Sequence, residues 1–132
     1  MQNPTDVTLN ILIIDDETFI LNALKREFSI LDFQISWASC STKAMELLKT
    51  EKFACVISDF LMPEFSGIDI MKQVAATSPL TRRILITGHP DHPEIKEANK
   101  MNLFHGFLPK PWDKYELLTL IRDQISEFRD TI

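Results

Sequence analysis

The chain has 132 residues, of which 45% are hydrophobic and 25% charged, so we expect one globular domain rather than a disordered chain or a multidomain enzyme. Lysine and arginine number 14 against 19 aspartate and glutamate, and the net charge of −5 disfavours direct binding to nucleic acid or an acidic membrane. The glycines, Gly67, Gly88 and Gly106, are too few and too far apart to form a glycine-rich phosphate loop.

The start of the sequence, its short apolar runs and its cysteines predict a cytoplasmic protein. The first residues lack the basic start and apolar run of a signal peptide, and the longest apolar run, residues 11–14, is too short to cross a bilayer. Cys40 and Cys55 lie far apart without further ligands at metal-binding spacing, which is typical of free thiols in a reducing compartment. We interpret residues 1–8 as an N-terminal extension and residues 9–130 as the single domain.

Five short apolar runs predict the strands of a sheet. Several of them are apolar at every position instead of alternating, which is typical of parallel strands covered on both faces. Segments with helical periodicity lie between the runs, as the crossover connections of a parallel sheet require. The sequence therefore predicts an α/β fold, a doubly wound five-stranded parallel sheet with five helices on both faces. The runs are residues 9–14, 33–38, 54–58, 84–87 and 106–108.

Local signals mark three of the helices. Ser66 and Asp69 have the spacing of a capping box at the start of the third helix. The last helix is predicted to start after Asp113 as N-cap, with Trp112 packing as a hydrophobic staple. The fourth helix, from about residue 92 to residue 101, has a narrow apolar stripe, so we expect it to pack most weakly and to move most readily. That stripe consists of Ile95, Ala98 and Met101.

Polar residues follow the ends of four apolar runs. Asp15 and Asp16 follow the first run, Asp59 follows the third, Thr87 ends the fourth and Lys110 comes shortly after the fifth. Because ligand sites of parallel sheets form beyond the carboxyl ends of the strands, we expect these side chains to meet. Three carboxylates in one cleft repel each other unless a cation is present, and oxygen ligands suit Mg²⁺.

The same side chains suit the transfer of a phosphoryl group to a carboxylate. Lys110 supplies a mobile positive charge, Thr87 a hydroxyl group, and Gly88 a backbone N–H that no side chain obstructs. Phosphoryl transfer depends chiefly on positioning and charge neutralisation. The sequence therefore predicts a phosphoryl-accepting site with Asp59 as the acceptor.

Four motifs in this order and spacing resemble the receiver domain of two-component response regulators, over roughly residues 9–128. The resemblance implies the flavodoxin-like strand order 2-1-3-4-5 and a self-catalysed, Mg²⁺-dependent transfer to Asp59 from the phosphohistidine of a histidine kinase or phosphotransfer protein. The motifs are Ile13-Ile14-Asp15-Asp16-Glu17, Ser58-Asp59-Phe60-Leu61-Met62-Pro63 with Gly67 following, Leu85-Ile86-Thr87-Gly88, and Phe107-Leu108-Pro109-Lys110-Pro111.

The resemblance also implies roles for single residues. Mg²⁺ would be bound by Asp16, Asp59 and the carbonyl of Leu61, with Asp15 acting through water. Thr87 and Lys110 would bind the phosphoryl group, and the peptide bond before Pro111 would be cis.

The resemblance further implies a switch that moves the hydroxyl of Thr87 toward the phosphoryl group and turns the aromatic ring of Phe107 inward. The output surface is then expected on the fourth helix, the fifth strand and the last helix. Phe107 has no hydroxyl, so any coupling would act through ring packing, and the alternative is a plain core phenylalanine.

Other functions stay open on the sequence. A flavodoxin-like protein would share the strand order, but the acidic stretch Asp15-Asp16-Glu17 would repel the phosphate of FMN. An aspartyl phosphatase would need an Asp-x-Asp spacing that the first run lacks. A receiver-like interaction module that is not phosphorylated is a third alternative, and a stand-alone phosphorelay carrier is a fourth.

The output of such a receiver is expected in another chain or in sequence beyond these residues. Trp112, after the Lys-Pro pair, resembles receivers joined to signalling enzymes. Dimerisation of phosphorylated copies stays open. Beyond phosphorylating and dephosphorylating itself, the domain is not expected to be an enzyme.

Overall fold

A computed structural model describes residues 9–29 and 33–131 as one parallel sheet with helices on both faces. The expectation for residues 1–8 lies outside the described residues. The sheet order is β2-β1-β3-β4-β5, which confirms the predicted α/β architecture. The strands are β1 (Asn10–Ile14), β2 (Gln34–Ala38), β3 (Cys55–Asp59), β4 (Arg82–Thr87) and β5 (Gly106–Pro109). The helices are α1 (Thr18–Phe28), α2 (Ser41–Thr50), α3 (Gly67–Thr77), α4 (Pro93–Lys100) and α5 (Lys114–Thr131).

The central strands are apolar at nearly every position because they serve two cores. Alternate side chains of β1 point to opposite faces of the sheet. Ile11 and Ile13 pack with buried residues of α1 and α5, whereas Leu12 and Ile14 pack with buried residues of α2, α3 and α4. The resulting framework holds the carboxyl ends of the strands in fixed positions.

The predicted strand bounds differ from the observed ones by one residue at one or both ends, except at β4. That strand begins two residues earlier, at Arg82 rather than residue 84. Two arginines fit there because their guanidinium groups have partners: Arg82 donates to Gln124 Oε1 at 2.8 Å, and the buried Arg83 donates to the carbonyl of Leu103 at 2.9 Å. Buried polar groups are tolerated when they are hydrogen-bonded.

The structure confirms both predicted caps. Ser66 Oγ accepts the N–H of Asp69 at 3.2 Å, and Asp69 Oδ2 accepts the N–H of Ser66 at 3.0 Å, which is the capping box of α3. Asp113 Oδ1 accepts the N–H groups of Tyr115 and Glu116 at 2.7 and 3.1 Å. None of the helices in residues 9–29 and 33–131 is long and apolar enough to cross a membrane.

Helix α4 is shorter than predicted. It spans eight residues and buries Ile95 and Ala98. The prediction that Met101 belongs to the buried stripe is wrong, because the helix ends at Lys100 and the side chain of Met101 is 56% exposed. Helix α4 therefore buries two apolar side chains rather than the three predicted.

Candidate functional site

The polar residues predicted to meet do converge beyond the carboxyl ends of the strands. Asp15 follows β1, Asp59 ends β3, and Lys110 follows β5. The Nζ atom of Lys110 lies 3.2 Å from Asp15 Oδ2 and 3.2 Å from Asp59 Oδ1. Both carboxylates are buried and the lysine is partly exposed. One ammonium group therefore bridges two carboxylates that are 44 residues apart in the chain.

Two further acidic side chains lie beside this bridge. Oxygen atoms of Asp15, Asp16, Glu17 and Asp59 all lie within 4.8 Å of one another. Asp16 and Glu17 are exposed, so the cluster opens to solvent on one side. The set consists of carboxylate oxygens, which fits a hard cation such as Mg²⁺. Glu17 was missing from the predicted metal ligands, although its place directly after the Asp pair is a usable signal.

The electrostatics of the cluster favour a bound cation. Burial and the negative charge of Asp15 raise the pKa of Asp59 to about 6, although Lys110 acts in the opposite direction. Burial likewise raises the pKa of Asp15 and outweighs its hydrogen bonds from Glu17 and Lys110. Burial lowers the pKa of Lys110, but the two carboxylates outweigh it and hold that pKa above its ordinary value. Negative charge thus exceeds positive charge in the cleft, and a divalent cation would relieve the excess.

Asp15 is fixed in place by the protein. Its Oδ1 accepts the backbone N–H of Glu17 at 2.9 Å, and its Oδ2 accepts a hydrogen bond from Lys110 at 3.2 Å. Its own N–H donates to the carbonyl of Ala38 at 3.1 Å. Because both of its oxygens accept hydrogen bonds, Asp15 is better placed to orient neighbouring groups than to bind an ion directly.

The end of β4 brings Thr87 and Gly88 to the same edge. Thr87 is buried, and its Oγ1 accepts the N–H of His89 at 2.9 Å, which leaves the hydroxyl proton for another acceptor. The carbonyl of Thr87 accepts the N–H of Lys110 at 2.9 Å, which ties β4 to the exit of β5. The peptide bond between Lys110 and Pro111 is cis.

The loop from β3 to α3 folds directly over Asp59. The N–H of Phe60 donates to the carbonyl of Ile86 at 3.0 Å, and the N–H of Gly67 donates to the carbonyl of Phe60 at 2.8 Å. A Cβ atom at Gly67 would overlap the carbonyl oxygen of Asp59, so only glycine fits there. Leu61 lies in this loop with its side chain 52% exposed, and its carbonyl stays a predicted ligand.

Phe107 lies on β5, an edge strand of the sheet that is separated from β1 by β3 and β4. Its ring is partly buried and packs against Phe104, with ring centroids 6.4 Å apart and planes tilted by 40°. Together with residues of α5 it lines an open groove of 460 Å³. The switch role of Phe107 stays a prediction.

The fold and this cleft define a class of protein, an α/β domain with an acidic, lysine-bridged site at the carboxyl edge of its sheet. Comparison with known families gives the class its name. The family model "Response regulator receiver domain" matches residues 11–122, and the chain belongs to this family. It is also 33% identical over 123 residues to the phosphoglycerate transport system transcriptional regulatory protein PgtA of Salmonella typhimurium, covering 93% of this chain and 29% of that protein.

Solved structures agree with this assignment. The signal receiver domain of an HD domain-containing protein from Pseudomonas fluorescens superposes with a TM-score of 0.88 at 31% identity, covering 94% of this chain and 91% of that one. A chain described as adenylate cyclase from Rhodopirellula baltica superposes with a TM-score of 0.83 at 26% identity, covering 92% of this chain and 90% of that one. This chain spans less than a third of the length of PgtA, so the similarity concerns only that share of the protein.

Proposed function

We propose that this receiver domain accepts a phosphoryl group on Asp59 from the phosphohistidine of a histidine kinase or phosphotransfer protein. The observation that carries the proposal is the 3.2 Å contact between Asp59 Oδ1 and Lys110 Nζ inside a buried, acid-rich cleft. A carboxylate held beside an ammonium group can receive a phosphoryl group whose charge that ammonium then neutralises.

Mg²⁺ fits the oxygen donors of the cleft and is the proposed cofactor. Asp16, Asp59 and the carbonyl of Leu61 would bind it directly, and Asp15 would act through water, in keeping with its two engaged oxygens. When bound, the ion supplies the positive charge that allows carboxylates and phosphoryl oxygens to approach each other.

The chemical step follows from the positions of the side chains. A carboxylate oxygen of Asp59 attacks the phosphorus atom and forms an acyl phosphate. The bond from phosphorus to the donor imidazole nitrogen breaks, and the imidazole leaves with the electron pair. Lys110 exchanges its contact with Asp59 for one with a phosphoryl oxygen, while the Thr87 hydroxyl and the Gly88 N–H donate to the others. The phosphoryl group taken from the donor stays on Asp59, so the domain modifies itself.

A groove beside the site supports a protein as the donor. It has a volume of 370 Å³ and is lined almost entirely by apolar side chains. Phe19 stands on its rim with 75% of its side chain exposed, and Lys110 lines both the groove and the acidic cleft. Exposed apolar surface that includes aromatic side chains is typical of protein interaction sites. Its lining consists of Phe19, Ile20, Ala23, Lys110, Pro111 and Trp112.

Phosphorylation is proposed to act on an output domain or partner through α4, β5 and α5. Thr87 would move toward the phosphoryl group and Phe107 would respond by repacking. The thin packing of α4, which buries Ile95 and Ala98, supports a surface that shifts at low cost. This chain is similar to part of a transcriptional regulatory protein and to the receiver domain of an HD domain-containing protein, so either kind of output fits the proposal.

The Asp59→Asn variant tests the proposal directly. We expect the wild-type protein, incubated with Mg²⁺ and a small phosphodonor, to gain the mass of one phosphoryl group, and the variant to gain none. Intact-mass spectrometry measures both, and wild type with a chelator is the matched control. Equal mass gain in the two proteins, or none in either, would refute the assignment of Asp59. No gain in either would favour the alternative of a receiver-like interaction module.

Leu61 is predicted to lengthen the life of the phosphoryl group. Its bulky apolar side chain lies two residues beyond Asp59, where water must approach to attack the acyl phosphate. We expect the Leu61→Asn variant to lose its phosphoryl group several-fold faster than wild type, because asparagine is more polar and can hold a water molecule. Following the loss of phosphoprotein after removal of the donor gives the rate. An unchanged or slower rate in the variant would contradict the steric argument.

A further inference from the structure

Helix α2 is tied to the β3–α3 loop through the hydroxyl groups of its first two residues. Ser41 Oγ donates to the carbonyl of Pro63 at 2.8 Å and accepts the N–H of Phe65 at 3.2 Å. Thr42 Oγ1 donates to Glu64 Oε2 at 2.6 Å. Ser41 is 2% exposed, so its hydroxyl group is shielded from competing water. These bonds join segments that are more than 20 residues apart in the chain.

The turn that Ser41 binds is strained. Glu64 has a φ of 69°, in the left-handed region that residues other than glycine rarely adopt. The N–H of Phe65 also donates to the carbonyl of Pro63 at 2.9 Å, which closes a three-residue γ-turn around Glu64. Turns with a positive φ at the centre are uncommon and persist when surrounding contacts hold them. The hydroxyls of Ser41 and Thr42 provide such contacts.

We propose that Ser41 is a positioning residue for the phosphoacceptor site, one that fixes the β3–α3 loop and with it the backbone carbonyl of Leu61. The inference rests on the proposed function, in which that carbonyl binds Mg²⁺. A backbone ligand has no rotamers of its own, so its position depends on the conformation of the loop. The hydrogen bonds of Phe60 and Gly67 hold the two ends of the loop, and Ser41 holds its middle.

The Ser41→Ala variant tests this role. Partners that orient metal ligands typically contribute 10- to 100-fold to metal affinity. We expect the dissociation constant for Mg²⁺, measured from amide chemical shifts, to rise about tenfold. The phosphorylation rate at saturating Mg²⁺ should stay within about twofold of wild type, since Asp59 and Lys110 are untouched. In metal-free protein, the amide of Phe65, which loses Ser41 Oγ as an acceptor, should exchange with solvent about tenfold faster.

Thr81→Val is the matched control. Thr81 is also buried, and its Oγ1 donates to the carbonyl of Phe53 at 2.6 Å near the opposite end of the sheet. This variant loses a buried hydroxyl bond as well, so it should lower stability without changing Mg²⁺ affinity or exchange at Phe65. Ser41→Thr keeps the hydroxyl group and should restore most of the affinity that Ser41→Ala loses. Ser41→Cys, with a weak donor, should fall between them and replaces Ser41→Ala if that variant fails to fold.

The outcomes separate this inference from the proposed function. If wild type binds Mg²⁺ and is phosphorylated on Asp59, but Ser41→Ala and Ser41→Cys match it in affinity and exchange, the role of Ser41 is refuted and the function stands. If Thr81→Val weakens Mg²⁺ binding as much as Ser41→Ala does, the effect reflects general stability and the positioning role also fails. If wild type shows no Mg²⁺-dependent phosphorylation, both proposals are overturned.

Discussion

Replacing Asp59 with asparagine is expected to raise the free energy of unfolding at pH 7 in the absence of Mg²⁺ by on the order of 3 kcal/mol, since each pKa unit corresponds to about 1.4 kcal/mol. Asp59 is buried beside Asp15, and its pKa in the folded protein is raised to about 6 from an ordinary value of 3.8. At pH 7 the folded state must hold this carboxylate ionised at a cost that the unfolded state avoids. The neutral amide of asparagine removes that cost while keeping the shape of the side chain.

The pH dependence of the effect has a definite sign. Between about pH 6 and pH 4 the folded protein takes up a proton on Asp59 before the unfolded chain does. The contribution of Asp59 to stability therefore increases as the pH falls through this window and decreases as the pH rises. The stability difference between Asp59→Asn and wild type should be largest above pH 6 and close to zero near pH 4. Urea unfolding with a chelator present, repeated across the window, measures this difference.

His105 has the opposite effect on the pH dependence of stability, over an overlapping pH range. Its Nδ1 accepts the N–H of Arg83 at 3.0 Å, and burial together with the positive charges of Arg83 and Arg82 lowers its pKa to about 4 from an ordinary value of 6.5. Below pH 6.5 the unfolded chain gains this proton first, so the contribution of His105 to stability falls as the pH drops toward 4. Because His105 contributes equally to both proteins, the difference in unfolding free energy between Asp59→Asn and wild type isolates the contribution of Asp59.

Two further measurements check the origin of the effect. Asp123→Asn makes the same chemical change at an exposed site on α5 and should alter stability by no more than about 0.5 kcal/mol. Mg²⁺ should stabilise wild type more than Asp59→Asn, because the variant lacks one of the proposed ligands, so the difference between them should narrow as the ion is added. A variant less stable than wild type at pH 7 without Mg²⁺ would contradict the assignment of Asp59 as a strained, ionised carboxylate.

Much of the fold and of the site could be predicted because the relevant signals are local. The apolar runs that became β1 and β3 needed cover on both faces, and the helical segments between the runs could supply it, which together predict a layered α/β fold. Once the strands are parallel, their carboxyl ends share an edge, so Asp15, Asp59 and Lys110 have to meet there. The capping box of α3 and the N-cap of α5 are likewise set within four residues of sequence.

The features that escaped prediction depend on contacts between distant segments. Ser41 looks like an ordinary residue at a helix start, and its link to Pro63 appears only when α2 lies beside the β3–α3 loop. Arg82 and Arg83 look unsuited to a strand until Gln124 and Leu103 are placed next to them. Met101 fits the helical periodicity of α4, but periodicity does not indicate the residue at which a helix ends. Partners that are 20 or more residues away leave no mark in a local pattern.

Gly67→Ala is expected to destabilise the protein by about 3 kcal/mol or more, an unusually large loss for the addition of one methyl group. Gly67 begins α3 with an ordinary negative φ, so its backbone would accept any residue, and alanine is favoured over glycine by about 1 kcal/mol within a helix. The expected loss of stability arises from steric overlap alone. The new Cβ would overlap the carbonyl oxygen of Asp59 and lie 3.0 Å from Leu85 Cδ1.

The other two glycines supply a graded control. A Cβ at Gly106 would lie 2.9 Å from Leu120 Cδ1, the end of a flexible side chain that can move aside. A Cβ at Gly88 would meet nothing closer than Lys110 Cβ at 3.9 Å. The loss of stability on mutation to alanine should therefore decrease in the order Gly67, Gly106, Gly88, as measured by urea unfolding. A Gly67→Ala protein as stable as Gly88→Ala would contradict the close approach of α3 to Asp59.

The effect at Gly67 should reach the site as well as the fold. Backbone atoms cannot swing aside as side chains do, so the clash must be relieved by moving either the start of α3 or the Asp59 peptide. Either movement changes the geometry between the Asp59 carboxylate and Lys110 Nζ, which now lie 3.2 Å apart. In whatever fraction of Gly67→Ala remains folded, phosphorylation from a small donor should be at least tenfold slower, because misplacement by about 1 Å can cost on the order of 100-fold in rate. Folded variant protein with a wild-type rate would show that Asp59 tolerates the displacement, and that its precise placement by α3 is not required.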